Sequence, residues 1–455
     1  MADQPRTIIA NIDRLNQFMD QAGCSALILR SGKNFTYLAG FSYPGTLGRH
    51  LDFPDSPREV LLVWPRQGEP VMVLNHYAAP LARRDSWLDK IEVYDDYAES
   101  PYQKAAEVLK DLGLDREVVG LEKTYVSAAR WEEMESLLPG GKLFDCTEMM
   151  DQVRWIKTAG EVELLREGAL ILDEAYLEIF PTVREGHTER EVHSRIVASC
   201  VQRGAQWAHG ILNSSRNTVA YGGESDFAFQ RGDIIRNDYV SYYQGYPGHQ
   251  SRTVVVEEPT QEQRDTYRLM RDIYRMTVDQ CQVGAKASDI HSFASAKFKE
   301  AGYQDRVSLV GHSVGAWWHQ QEPYIVPTSH VLLEEGMVLA LEPHVGYWHL
   351  QDMILVTPDG PQLLSPRFST DEMLATGDRP PYLLRGQWRV YVAHAGTVQS
   401  VHHRVGDRRR RRHGGQLADS LRSQRIQGRQ SLQRVQGQVW HILSFRHGIV
   451  HKAAG

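Results

Sequence analysis

Cysteine is scarce: Cys24, Cys146, Cys200 and Cys281 are the only four in 455 residues, and no two form a Cys-x-x-Cys pair. That spacing excludes a zinc knuckle and a disulfide framework and leaves four buried thiols without a chemical role as the expectation. No apolar run reaches the roughly 18 residues that a bilayer-spanning helix needs, so no membrane partner is expected. The first residues, Met-Ala-Asp-Gln-Pro-Arg, carry no basic stretch followed by an apolar one, which makes the cytoplasm the expected location. A basic body is missing too. The formal net charge is −6, but the stretch from Gly386 onward holds twelve Arg, one Lys and two Asp, a net of +11 that leaves −17 for residues 1–385. Such an acidic body repels phosphate backbones, and no nucleic-acid partner is expected.

What is present is ordinary globular material, 42% hydrophobic and 24% charged, in a chain long enough for two or three domains. Residues 1–150 alternate short strands and helices. Ala26–Leu29, Val60–Trp64, Val71–Leu74 and Val118–Gly120 read as strands, and Pro65-Arg-Gln-Gly-Glu-Pro70 joins the second and third as a hairpin. Near 150 the pattern lengthens. Thr158 with Glu161 makes a capping box before Val162, Leu165, Ala169, Leu172, Tyr176 and Ile179 at helical spacing, and Pro181 stops the run. Thr188 with Glu191 and Thr260 with Gln263 open further helices, and a fourth starts at Ser288. Each helix pair precedes β-rich segments (232–256, then 307–314, 337–341 and 354–356), which predicts a duplicated α+β unit over residues 151–370 with a site between its halves. Beyond residue 380 the pattern fails. The tail to 455 includes Arg408 to Arg412 in a row and reads as a basic extension that is either disordered or non-native.

Chemistry-bearing residues gather in four places. The first is Asp238 through His249, where a strand–turn–strand brings residues eleven apart back to one end of a sheet. Next come Gly311-His312 with His319, then Glu342-Pro343, and last His349-Leu-Gln351-Asp352. Singly, a histidine or a carboxylate is more often structural than catalytic; their order is what singles these out.

That ordered set, with Asn34-Phe-Thr-Tyr37-Leu-Ala-Gly40 near the start and Arg154-Trp-Ile-Lys157 before Glu161, resembles the creatinase/prolidase/aminopeptidase P family, peptidase family M24, over residues 10–365. The resemblance implies a small α/β creatinase-type N-terminal domain (1–150), a pita-bread catalytic domain (151–370) and an α+β fold overall. In the family's peptidases, Asp, Asp, His, Glu and Glu hold two divalent ions. The matching positions here are Asp238, His249, His312, Glu342 and Gln351, so the two bridging carboxylates have become neutral side chains. Losing two negative charges removes roughly the compensation one divalent ion requires, and a dinuclear site is not expected.

Two arrangements then stand open. Either His249, His312 and Glu342 hold one divalent metal, zinc, manganese or iron, with Gln351 beside them; or no cofactor binds and a histidine acts as base, as the resemblance to creatinase implies. The family's first catalytic histidine is matched by Tyr221, whose phenol, with a pKa near ~10, is a poor base at neutral pH, with His209 as a substitute nearby. His319, seven residues after His312, matches the second, substrate-facing one. Trp317 and Trp318 suggest an aromatic wall for a planar or cationic substrate, and Arg49 and His50 a contact with a neighbouring subunit's pocket in a homodimer. The expectation is a hydrolase of a C–N bond in a small non-peptide amide, amidine or lactam. A mononuclear Xaa-Pro peptidase is the alternative, and an inactive peptide-binding protein the third reading.

Overall fold

This computed structural model describes residues 7–42, 56–219, 225–304 and 307–377, together with the backbone of 389–394 and 397–402. The chain divides into two compact units, Met1–Pro380 and Pro381–Gly455. Arg49, His50 and Tyr221 lie outside the described residues, as does the arginine run at 408–412.

The first unit begins with strands β1 (Ala26–Arg30), β2 (Leu61–Pro65), β3 (Val71–Asn75), β4 (Ile91–Tyr94), β5 (Val118–Leu121) and β6 (Lys142–Asp145). They form one mixed six-stranded sheet in the order β4-β3-β2-β1-β5-β6. The expected hairpin is there, β2 pairing antiparallel with β3. Core side chains line both faces of the central strands, which is why β1, β2 and β3 read as unbroken apolar runs. The change of pattern near 150 falls inside the helix Thr147–Trp155, whose Met149, Met150 and Val153 share one core with Leu27 and Leu62 on one side and Val338 and Ala340 on the other.

All three expected capping boxes form, opening the helices Ala159–Ile179, Glu189–Gln202 and Gln261–Asp279. A fourth helix runs over Ala287–Glu300. The following strands build two further five-stranded sheets. One comprises β7 (Trp207–Ser214), β8 (Ile234–Tyr243), β9 (Tyr246–Gln250), β10 (Val254–Val255) and the short Leu374–Ala375. The other is antiparallel throughout: β11 (Gly311–Ser313), β12 (Gln321–Ile325), β13 (Val338–Leu341), β14 (Asp352–Leu355) and the short Gln362–Leu363. The fold is α+β, as expected. All four cysteines are buried and free.

The helix Ala159–Ile179 meets β9 backbone to backbone. A Cβ on Gly248 would fall 2.0 Å from the carbonyl carbon of Gly168, so only glycine fits. Ser241 Oγ donates to Gly168 O at 2.8 Å, and Gln250 Nε2 donates to Ala169 O and Asp173 Oδ1 at 3.1 and 2.6 Å. Arg154, singled out in the sequence, is buried and structural: it donates to Asn34 Oδ1 and, at 3.2 Å, to Gln321 Oε1, tying the helix after β1 to β12. Lys157 Nζ donates to Ser313 Oγ at 2.7 Å, one residue from His312.

In the second unit Arg389–His394 and Thr397–His402 pair as an antiparallel ribbon. The tail is therefore less featureless than its composition suggests, because Val390, Tyr391, Val392, Val398 and Val401 favour extended backbone.

Candidate functional site

The turn between β8 and β9 sets the register of the site. Gln244 and Gly245 have φ of 49° and 82°, the pair of positive values a two-residue hairpin of the I′ kind requires. Val240 therefore pairs with His249, which places His249 diagonally beside Asp238 on one face. The ring Nε2 of His249 lies 2.8 Å from Asp238 Oδ1. On the other edge of β8, His209 pairs with Val240, so its ring joins the same face. The period-two spacing of Trp207 and His209 carries that information in the sequence.

The second sheet supplies the opposite wall. His312 pairs with Ala340 on β13, and Glu342 lies two residues further along the same face. Where β9 ends, Ser251 leaves the ladder and bridges Gln351 across the two sheets, each backbone N–H donating to the other's carbonyl at 3.2 and 3.1 Å. This bridge closes the site at the seam between the halves. Ser251 Oγ also donates to Gln351 Oε1 at 2.8 Å, and Gln351 Nε2 stands 3.2 and 3.3 Å from the two ring nitrogens of His249. Gln351 is thus engaged with protein groups at both ends of its amide.

Three imidazoles face one another at the centre. Ring centroids are 5.3 Å apart for His249 and His312 and 4.7 Å for His249 and His319. His209 stands 5.6 Å from His319. Burial, with the neighbouring His249, His312 and His209, pushes His319 well down, and burial with His249 nearby takes His209 down to about 4. Both are neutral rings at neutral pH. Asp238 goes the other way: burial would raise it, but the adjacent His249 outweighs that and holds its carboxyl well below the usual carboxylate range. Glu342, also buried, is likewise held down by the His312 and His349 rings. Its Oε1 lies 3.4 Å from His312 Nε2 and its Oε2 3.4 Å from His349 Nε2.

Trp317 and Trp318 follow β11. Trp317 has a φ of 72°, donates its backbone N–H to Gly245 O at 2.8 Å, and packs against the core that joins N-terminal residues to Val314, Ala316 and Val338. A left-handed non-glycine backbone costs roughly 1–3 kcal/mol, and here it turns the chain so that Trp318 and His319 follow toward the site. Trp318 remains at the pocket, its ring 4.6 Å from that of His319. Trp207 and Tyr242 complete the wall, stacked at 4.4 Å and 4°, with Tyr242 Oη 3.3 Å from His319 Nδ1.

The metal-ligand expectation also changes. Among the described residues, the donors that converge within 4.8 Å of one another are Glu342, His344 and His349, not His249, His312 and Glu342. Nε2 of His249 is engaged with Asp238 Oδ1 at 2.8 Å, and its Nδ1 faces Gln351 Nε2 at 3.2 Å. A dinuclear centre does not fit: the positions that need bridging carboxylates carry a histidine and an amide committed to each other.

Both portions of the first unit match known families. The creatinase/prolidase N-terminal domain matches residues 11–156, and metallopeptidase family M24 matches residues 163–358. Residues 163–358 are an M24 domain. By family it is a C–N hydrolase, with an altered set of residues at the metal-binding positions. The Xaa-Pro dipeptidase of Pyrococcus furiosus is 26% identical over 365 residues, which covers 78% of this chain and 97% of that protein. The Xaa-Pro dipeptidase of Lactobacillus delbrueckii is 25% identical over 366 residues, 77% of this chain and 95% of that one. Among solved structures, an Xaa-Pro dipeptidase from Bacillus anthracis superposes with a TM-score of 0.67 at 21% identity, covering 80% of this chain and 98% of that chain. The prolidase of Pyrococcus horikoshii gives 0.66 at 22%, covering 80% and 99%. These likenesses establish the pita-bread fold for this M24 chain. No helix among the described residues is long and apolar enough to cross a membrane.

Proposed function

We propose that this M24 chain hydrolyses the C–N bond of a small dipeptide of the Xaa-Pro kind, using His249 as the base that activates water. The observation that carries this reading is the Asp238–His249 pair, 2.8 Å apart at the centre of the pocket. Asp238 is acceptor-only when ionised, so Nε2 of His249 must carry the proton between them and Nδ1 is left with a lone pair. Gln351 Nε2 stands 3.2 Å from that nitrogen and gives way to water, from which Nδ1 takes a proton as the oxygen adds to the substrate carbonyl. The ionised Asp238 stabilises the imidazolium that forms, and the proton passes to the departing amine as the C–N bond breaks. His319 and His209, neutral at the same pH, can each donate one N–H to the developing oxyanion without adding charge to the pocket. Trp207, backed by the buried Tyr242, and Trp318 offer flat surfaces to a proline ring. A single divalent ion held by Glu342, His344 and His349 would supply polarisation of the carbonyl or of the water.

The dipeptide is favoured over a non-peptide substrate because relatives named as Xaa-Pro dipeptidases align over almost their full length. The loss of two bridging carboxylates favours the second reading, metal-independent cleavage of a small amide, amidine or lactam. A homodimer in the cytoplasm belongs to the same proposal, by resemblance to the family. The test is a panel of Xaa-Pro dipeptides set against creatine-like amidines and lactams, assayed before and after chelation. Turnover confined to Xaa-Pro substrates supports the first reading; turnover confined to the non-peptide set, indifferent to chelator, replaces it with the second.

A further inference from the structure

Two histidines beside the pocket match none of the family's metal positions and enter the hydrolytic reading only as holders of an ion. His344 and His349 flank the loop that follows Glu342, and donor atoms of all three lie within 4.8 Å of one another. The rings of His344 and His349 pack at 4.5 Å. His349 is 1% exposed, and neither of its ring nitrogens makes a hydrogen bond, although Nε2 stands 3.4 Å from Glu342 Oε2. A buried imidazole that makes no hydrogen bond, with one carboxylate oxygen 3.4 Å away, carries a desolvation cost that a bound cation would offset.

The tautomers point the same way. His344 Nδ1 lies 2.8 Å from the backbone carbonyl of Glu342, and His312 Nδ1 lies 2.9 Å from that of Ser313. A carbonyl only accepts, so in both rings Nδ1 carries the hydrogen and Nε2 is left with its lone pair, the arrangement that second-layer carbonyls impose on metal-bound histidines. His312 Nε2 in turn stands 3.4 Å from Glu342 Oε1, so imidazole nitrogens approach both oxygens of one ionised carboxylate.

We propose that Glu342, His344 and His349 bind one divalent transition-metal ion, with His312 available as a fourth ligand, at a position shifted from the family's dinuclear centre toward the 342–349 loop. Two or three imidazoles with one carboxylate suit zinc, iron or nickel better than magnesium or calcium, which require oxygen ligands. Binding of the ion stands apart from the hydrolytic reading, since a chain that cleaves no dipeptide can still bind it.

The test uses the full-length protein, stripped with chelator and titrated with Co(II), read by visible absorption and by calorimetric competition with Zn(II). The expected result is one equivalent per chain with ligand-field bands of a four- or five-coordinate nitrogen–oxygen site. His344→Ala and His349→Gln should each weaken Co(II) by more than the roughly 100-fold that loss of a second-layer partner costs, whereas His249→Gln should leave the affinity within a few-fold. His344 is the less buried of the two, so its variant serves if His349→Gln fails to fold. Absence of Co(II) binding at micromolar concentrations overturns the proposal. So does wild-type affinity in His344→Ala, or loss of binding in His249→Gln, which would return the ion to the His249, His312 and Glu342 set.

Discussion

His249 Nε2 and Asp238 Oδ1 sit 2.8 Å apart although eleven residues separate them, because a two-residue turn at Gln244-Gly245 folds β9 back along β8. Removing the ring should remove the base. His249→Ala is expected to lower kcat/KM on the best substrate by about 100- to 10,000-fold, the range for a lost general base. Asp238→Asn keeps the shape but not the charge and should lower kcat with little change in KM. Steady-state kinetics on both variants check this, and wild-type kcat in His249→Ala would remove the residue from the mechanism.

Restoring the family's carboxylates should restore its metal stoichiometry. In His249→Asp combined with Gln351→Glu, two negative charges return at the seam where Ser251 and Gln351 bridge the sheets. Metal analysis after equilibration with Mn(II) is expected to show at least one more ion per chain than the wild type. An unchanged count would mean that these two positions do not correspond to the bridging ligands.

Beneath the site, Arg252 donates to Asp352 at 2.6 Å and to Asp173 at 3.3 Å, all three side chains buried, while Tyr274 Oη donates to the other oxygen of Asp352 at 2.5 Å. Arg252→Met leaves two buried carboxylates without their cation. Removing one partner from such a group costs about 3–5 kcal/mol, and denaturant unfolding should show a loss of that order. A loss under 1 kcal/mol would show that the carboxylates take up protons at little cost.

Glu122 gives a pH signature in the N-terminal sheet. Its carboxyl is 1% exposed, and burial pushes it up to about 7 despite the amide of Asn34 and the backbone N–H of Arg30 that donate to it. The folded state therefore holds the proton more tightly than the unfolded chain, so this group's contribution falls as pH rises from about 4.5 to about 7 and stays low above that. At most about 3 kcal/mol is at stake. Glu122→Gln, neutral at every pH, should lose less stability than the wild type between pH 5 and pH 8, as thermal melts at both values would record. Parallel pH dependence in the two proteins would show that Glu122 titrates at its ordinary value.

Much of this was legible in the chain itself. Thr158 with Glu161, Thr188 with Glu191 and Thr260 with Gln263 announce helices because a capping box is a purely local exchange of hydrogen bonds, and all three form. The apolar runs of β1, β2 and β3 announce a sheet buried on both faces, and the order of Asp238, His249, His312, Glu342 and Gln351 marks the pocket's walls. What sequence order could not decide is which of those side chains point at one another. Only the register of β8 against β9 commits His249 to Asp238, and only the Ser251–Gln351 bridge commits Gln351 to His249. With that donor taken, the converging set becomes Glu342, His344 and His349, two of them on a loop whose path no periodicity describes. Trp317 shows the same limit, for no local pattern announces its left-handed backbone or its packing against a core that joins N-terminal residues to Ala316 and Val338. Local hydrogen bonds and hydrophobic period are properties of neighbouring residues and so are written in the sequence; convergence of donors from separate strands depends on register and loop path to within an ångström, which only the packed chain determines.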